Sequence, residues 1–137
     1  MRSFVDTNVL LYAVDQSEPE KGRRAAALLE ERADDLVLSA QVLSEFYAVA
    51  TRRLAQPLPE AEAAAYVDDL ERLPIVAIDL RVVREGIRLS REARLSYWDG
   101  LIIAAAREAG CDVLVTEDLS HGSTIAGVRI ENPFVSV

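Results

Sequence analysis

Four acidic residues stand where apolar segments would not ordinarily carry charge. Asp6 interrupts the run "FVDTNVLLYA", and Glu45 lies in "LSEFYAVATRR" with Gln41, Val42, Ala48 and Val49 at helical spacing around it. Asp99 follows two aromatic residues in "SYWDGLIIAAAREAG", and Asp118 closes "VLVTED" just after Thr116 and Glu117. Each has a local explanation. Asp6 can cap a helix beginning near Asn8, and Asp99 fits the third position of a capping box opened by Ser96. Glu45 can be an exposed helix residue, and Glu117 and Asp118 ordinary loop carboxylates. Brought together, however, such groups repel, and burial adds to the cost unless protons or cations neutralise them. Lys21 is the only lysine and His121 the only histidine, so a divalent cation is the natural neutraliser. Hard oxygen donors select Mg²⁺, with Mn²⁺ as a substitute. The reaction such a site serves best is phosphodiester hydrolysis, in which cations activate water and stabilise the leaving oxygen.

The elements that must carry these residues follow from patterning. Short, near-continuously apolar runs at Ser3–Val5, Leu36–Leu38, Ile75–Ile78, Asp112–Val115 and Val128–Ile130 suit parallel strands buried on both faces. Between them lie helical patterns with readable ends. Ser17 and Glu20 form a capping box before "KGRRAAALLEE", Ser39 caps "AQVLSEFYAVATRRL", and Pro59 opens a helix that stops before Pro74. Asp79 caps the next, Ser96 starts the Asp99 helix, and Gly110 ends it. Strand–helix alternation predicts an α/β sandwich on a mainly parallel sheet, with ligands beyond the carboxyl ends of the strands. Asp6 directly follows the first strand, and Thr116, Glu117 and Asp118 follow the fourth.

Composition excludes several classes. At 137 residues, half of them hydrophobic, the chain suffices for one domain, residues 1–137, with a sizeable core. The balance of 23 Asp+Glu against 15 Lys+Arg, net −8, argues against broad phosphate-driven binding to nucleic acid. It leaves nucleic acid open as a substrate, because a bound cation reverses the local sign. No GxxxxGK[ST] or GxGxxG loop occurs, and one histidine with one cysteine cannot build the usual zinc site. Cys111 alone forms no internal disulfide. The most apolar run, Leu101 to Ala106, is far too short to span a bilayer. The expectation is a soluble, cytoplasmic protein with no membrane association.

"FVDTNVLLYA", "LSEFYAVATRR" and "SYWDGLIIAAAREAGCDVLVTEDL" resemble the successive motifs of the PIN domain, most closely the VapC-type toxins of VapBC toxin–antitoxin pairs. The resemblance runs from Phe4 to Pro133. It implies a PIN-like three-layer α/β/α sandwich with a five-stranded sheet in the order 3-2-1-4-5, and a metal-dependent ribonuclease. The family's acidic quartet falls on Asp6, Glu45, Asp99 and Asp118, as catalytic residues and Mg²⁺ ligands. Thr116 and Asn8 take supporting places. Glu117 is a second acid beside Asp118; the family pattern favours Asp118. His121 reads as a surface loop residue. The resemblance further implies an RNA substrate, a VapB-like antitoxin whose tail crosses the active-site groove, and a homodimer.

Arg81, Arg84, Arg88 and Arg91 recur at spacings of three and four, along one helical face. They offer RNA or antitoxin contacts, or simply a solvated face interleaved with Glu85 and Glu92. Rival readings are an antitoxin-independent PIN nuclease of RNA processing and a catalytically silent PIN-fold module binding RNA or a partner. A phosphotransfer domain also places Asp at strand ends. Haloacid-dehalogenase-like phosphatases want a second Asp two residues on, where this chain has Asn8. Both they and receiver domains use a late lysine, and none follows Lys21.

Overall fold

A computed structural model describes all 137 residues. Strands β1 (Ser3–Val5), β2 (Leu36–Ser39), β3 (Ile75–Val76), β4 (Val113–Val115), β5 (Thr124–Ile125) and β6 (Val128–Glu131) form one sheet in the order β3-β2-β1-β4-β6-β5. Every pairing is parallel except β5 with β6. Every residue of β1, β2 and β4 is buried, so helices must cover the sheet on both faces. Helix α1 (Thr7–Val14) packs against α2 (Pro19–Glu31) and α3 (Ala40–Ala50), α3 also meets α4 (Glu60–Leu70), and α5 (Leu80–Ala93) pairs with α6 (Tyr97–Glu108). The core joins these layers through Phe4, Leu10, Leu38, Phe46, Ile103 and Leu114, all fully enclosed. No helix is long and apolar enough to cross a membrane.

The expected order holds for the five expected strands, and β5 adds a sixth, antiparallel edge strand. It is two residues long, too short for any periodicity to register. Its turn to β6 is Ala126–Gly127, both with positive φ (51° and 85°), the geometry of a primed hairpin turn without the usual Asn-Gly signature. The helix starts follow their capping residues at Ser39, Asp79 and Ser96, whose oxygens accept the N–H groups of Val42, Val82 and Asp99. The capping box at Ser17 does not form. Pro19 sets the first turn of α2, leaving Glu18 at the cap without a side-chain bond. Ser17 instead donates its N–H and hydroxyl to Asp15. Pro at the first helical position supplies a preset φ and removes one donor that a cap would have satisfied.

Candidate active site

The chain leaves β1 at Val5 and enters α1 at Thr7, so Asp6 occupies the cap between strand and helix. Its backbone N–H still donates to Val115 of the neighbouring β4, at 3.0 Å. That register fixes Asp6 beside the end of β4. One carboxylate oxygen accepts the Thr7 N–H at 2.7 Å and the other the Thr116 hydroxyl at 2.8 Å. The helix-cap reading of Asp6 is therefore correct, and it leaves the other lone pairs of the carboxylate uncommitted.

Thr116 is fully buried and uses all its hydrogen-bonding capacity. Its hydroxyl donates to Asp6 and accepts the Asp118 N–H (3.1 Å) and the Asn8 side-chain amide (3.4 Å). Asn8 also donates to the Asp118 carboxylate at 3.2 Å and receives the Glu117 N–H at 3.4 Å. Thr116 and Asn8 thus tie the end of β4 to the start of α1. Glu45, on α3, accepts the Thr7 hydroxyl at 3.0 Å and the Gln41 side-chain amide at 2.9 Å. Thr7 therefore links Asp6 to Glu45 through its N–H and its hydroxyl. Thr7 and Gln41 were not singled out as site residues in the sequence, although Gln41 stands one helical turn before Glu45, where side chains meet.

Asp99 lies in the first turn of α6, its N–H bonded to Ser96. Its charge bears on Asp118, whose carboxyl is pushed up first by desolvation and then by Asp99, against the lowering bond from Asn8. Glu45 acts on both Asp6 and Asp118 in the same direction. Asp6 is pushed up to about 6 by burial, opposed by the Thr116 and Thr7 bonds and reinforced by Asp118 and Glu45. Asp118 thus lies within electrostatic reach of Asp99, Glu45 and Asp6, and Glu45 within reach of Asp6 as well. None of the four acids is paired with a lysine or arginine. As the side chains stand, no three carboxylate, histidine or cysteine groups converge closely enough to enclose an ion.

Glu117 points elsewhere. Its carboxylate accepts the Tyr12 hydroxyl at 2.6 Å and Lys21 at 2.7 Å, so Asp118 is the acid turned toward Asp6. His121 accepts the Asn132 N–H at 3.0 Å and braces the β5–β6 hairpin. On α5, Arg81 pairs with Glu108, and Arg88 with Glu85 and Glu92, while Arg84 and Arg91 have no acidic partner. Half of the arginine stripe is thereby neutralised within the fold. A cavity of about 580 Å³ between α2, β2 and α4 is lined by none of the four acids.

A mainly parallel α/β fold with unpaired carboxylates at its strand ends defines the class of protein. A PIN domain profile matches residues 3–123, and the chain belongs to the PIN domain family. Among solved structures it is similar to a toxin–antitoxin complex from Klebsiella pneumoniae, at 20% identity and a TM-score of 0.71, covering 96% of this chain and 98% of that one. It is similar to DNA-bound VapBC from Salmonella typhimurium, at 22% identity and a TM-score of 0.70, covering 97% and 98%. It is also similar to VapC20 of Mycobacterium tuberculosis, a toxin that cleaves the sarcin–ricin loop, at 18% identity and a TM-score of 0.65, covering 82% and 86%. No curated protein matches the chain by sequence.

Proposed function

We propose that this chain is a Mg²⁺-dependent endoribonuclease, the toxin of a type II toxin–antitoxin pair, acting in the cytoplasm as a homodimer and silenced by a VapB-like antitoxin. One observation carries the reading. Asp118 is acted on by Asp99 and Glu45, and Asp6 by Asp118 and Glu45, and none of the four has a lysine or arginine partner. The donors are all hard oxygens, which fits Mg²⁺ or Mn²⁺ and not a softer metal. Structural likeness to a VapBC complex and to VapC20, a toxin that cleaves the sarcin–ricin loop, supports the choice of substrate and partner.

When bound, a divalent cation polarises the scissile phosphate and lowers the pKa of attacking water. The residues around it prepare that chemistry. Thr7 and Thr116 hold the Asp6 carboxylate in one orientation, and Asn8 holds Asp118. Thr7 and Gln41 aim Glu45, which either completes a second cation position or orients the water. Such outer hydrogen bonds fix the direction of ligand lone pairs. Asp99 stands in the first turn of α6, held there by the bond of its N–H to Ser96. Trp98, directly before it and 62% exposed, offers a face on which an unpaired base stacks. Arg84 and Arg91, free of ion pairs, are the arginines available to phosphate or to an acidic antitoxin tail.

The test is cleavage of a panel of structured and single-stranded RNAs by the purified protein with Mg²⁺, Mn²⁺ or EDTA, alongside Asp6→Asn and Asp99→Asn. Metal-dependent cutting lost in both variants is the expected result. Cutting that survives both rejects the site.

A further inference from the structure

Asp118 has a lightly held carboxylate. It is exposed, it follows the last residue of β4 by three positions, and its carboxylate is held by one bond, from Asn8. A second hold on the same turn comes from the opposite side. The Glu117 carboxylate is bonded through both oxygens, to the Tyr12 hydroxyl at 2.6 Å and the Lys21 ammonium at 2.7 Å. Lys21 closes the triangle by donating to the Tyr12 hydroxyl at 3.2 Å, and its nitrogen lies 4.7 Å from the centre of the Tyr12 ring. That ring meets Phe134 edge-on at 4.9 Å. Lys21 and Glu117 are each only about a quarter exposed, 25% and 29%. Helices α1 and α2 and the C-terminal segment therefore converge on one side chain of the β4 turn.

We propose that Lys21 is a positioning residue of the acidic site: with Tyr12 it anchors Glu117, and the anchored turn carries Asp118 to its place beside Asp6. The proposal rests on the metal-site reading above. The chain has a single lysine, and it is spent on a carboxylate one residue from the site. An ammonium suits the task, because its three donors can serve a carboxylate and a hydroxyl while its charge lies over a ring. The arrangement also keeps Glu117 from swinging inward as a fifth acid.

Geometry and charge predict opposite outcomes here, which makes the proposal testable. Removing a positive charge near the site would by itself tighten cation binding. Loss of positioning would weaken it. The measurement is Mn²⁺ affinity by calorimetry on the full chain, without RNA, for wild type, Lys21→Met, Glu117→Ala, the double variant and Tyr12→Phe. Thermal melts verify folding. Lys21→Met and Glu117→Ala are expected to bind Mn²⁺ about tenfold more weakly, the usual scale for groups that orient ligands. The double variant should bind no more weakly than Glu117→Ala, because Lys21 acts through Glu117. Tyr12→Phe keeps the ring packing and should show a milder loss in the same direction. Unchanged or tighter binding in folded Lys21→Met overturns the proposal, as do additive losses in the double variant. A wild type that binds no Mn²⁺ overturns the metal reading itself, and the two failures are therefore distinct.

Discussion

Gly100 in α6 packs against Gly86 in α5 so closely that a Cβ on Gly100 would lie 2.5 Å from the Gly86 carbonyl oxygen. A Cβ on Gly86 would in turn lie 3.0 Å from the Cα of Leu101. Backbone meets backbone immediately after Asp99, so this contact sets where the first turn of α6 stands. Gly100→Ala is expected to destabilise the fold by about 1–3 kcal/mol through overpacking, despite a gain of about 1 kcal/mol in helix propensity. Thermal melts read the loss. RNA cleavage should fall further than unfolding explains, since the displaced turn carries Asp99.

Arg94 ends α5 in the left-handed conformation, φ 55° and ψ 47°, which an L side chain adopts at a cost and glycine does not. It makes no ion pair. Arg94→Gly should therefore raise stability by on the order of 0.5–1 kcal/mol, measured by denaturant unfolding. A lower midpoint would mean that the Arg94 side chain contributes more than the strain it bears.

The Asp6 carboxyl, at about 6 in the fold against an ordinary 3.8, favours its neutral form in the native state. Between those values the native protein binds more protons than the unfolded chain, so metal-free stability falls as pH rises from about 4 to 6 and stays reduced above. The size of the fall is about 3 kcal/mol. In EDTA, Asp6→Asn should be more stable than wild type at pH 8, with the advantage shrinking toward pH 4. Mg²⁺ should stabilise wild type at pH 8 and leave Asp6→Asn nearly unmoved. Denaturant unfolding across pH, with and without Mg²⁺, checks both statements.

Trp98 is 62% exposed and rests edge-on against Tyr97, with ring centres 5.1 Å apart. It buries little, so Trp98→Ala should hardly change the melting temperature. Stacking on a base is worth about 1–3 kcal/mol. The substitution should then raise KM for RNA roughly tenfold or more while kcat moves little. A drop in kcat at constant KM would place Trp98 in the chemistry and not in substrate holding.

Much of this arrangement was legible before folding because its signals are local. Asp6 and Asp118 each follow an apolar strand, and Ser39, Asp79 and Ser96 announce helix starts through their own side chains. What was not legible depends on residues far apart in the chain. Nothing near Glu117 announces Lys21, ninety-six positions earlier, as its partner. Nor does anything around Thr7 announce that its hydroxyl reaches Glu45 on another helix. Glu85 and Glu92 were already visible between the arginines of α5, but the capture of Arg81 by Glu108 was not, because it exists only where α6 packs alongside. At Ser17 two local rules competed, and Pro19 prevailed over the capping box.

The most direct test of the acidic site is a crystal soaked in Mn²⁺ and measured for anomalous scattering. The account predicts a peak at about 2.0–2.4 Å from carboxylate oxygens, with Asp6 as one ligand and Asp99 or Asp118 as another, and Glu45 beside it or on a second, weaker peak. A peak at Glu117, or strong peaks only away from these four residues, would contradict it.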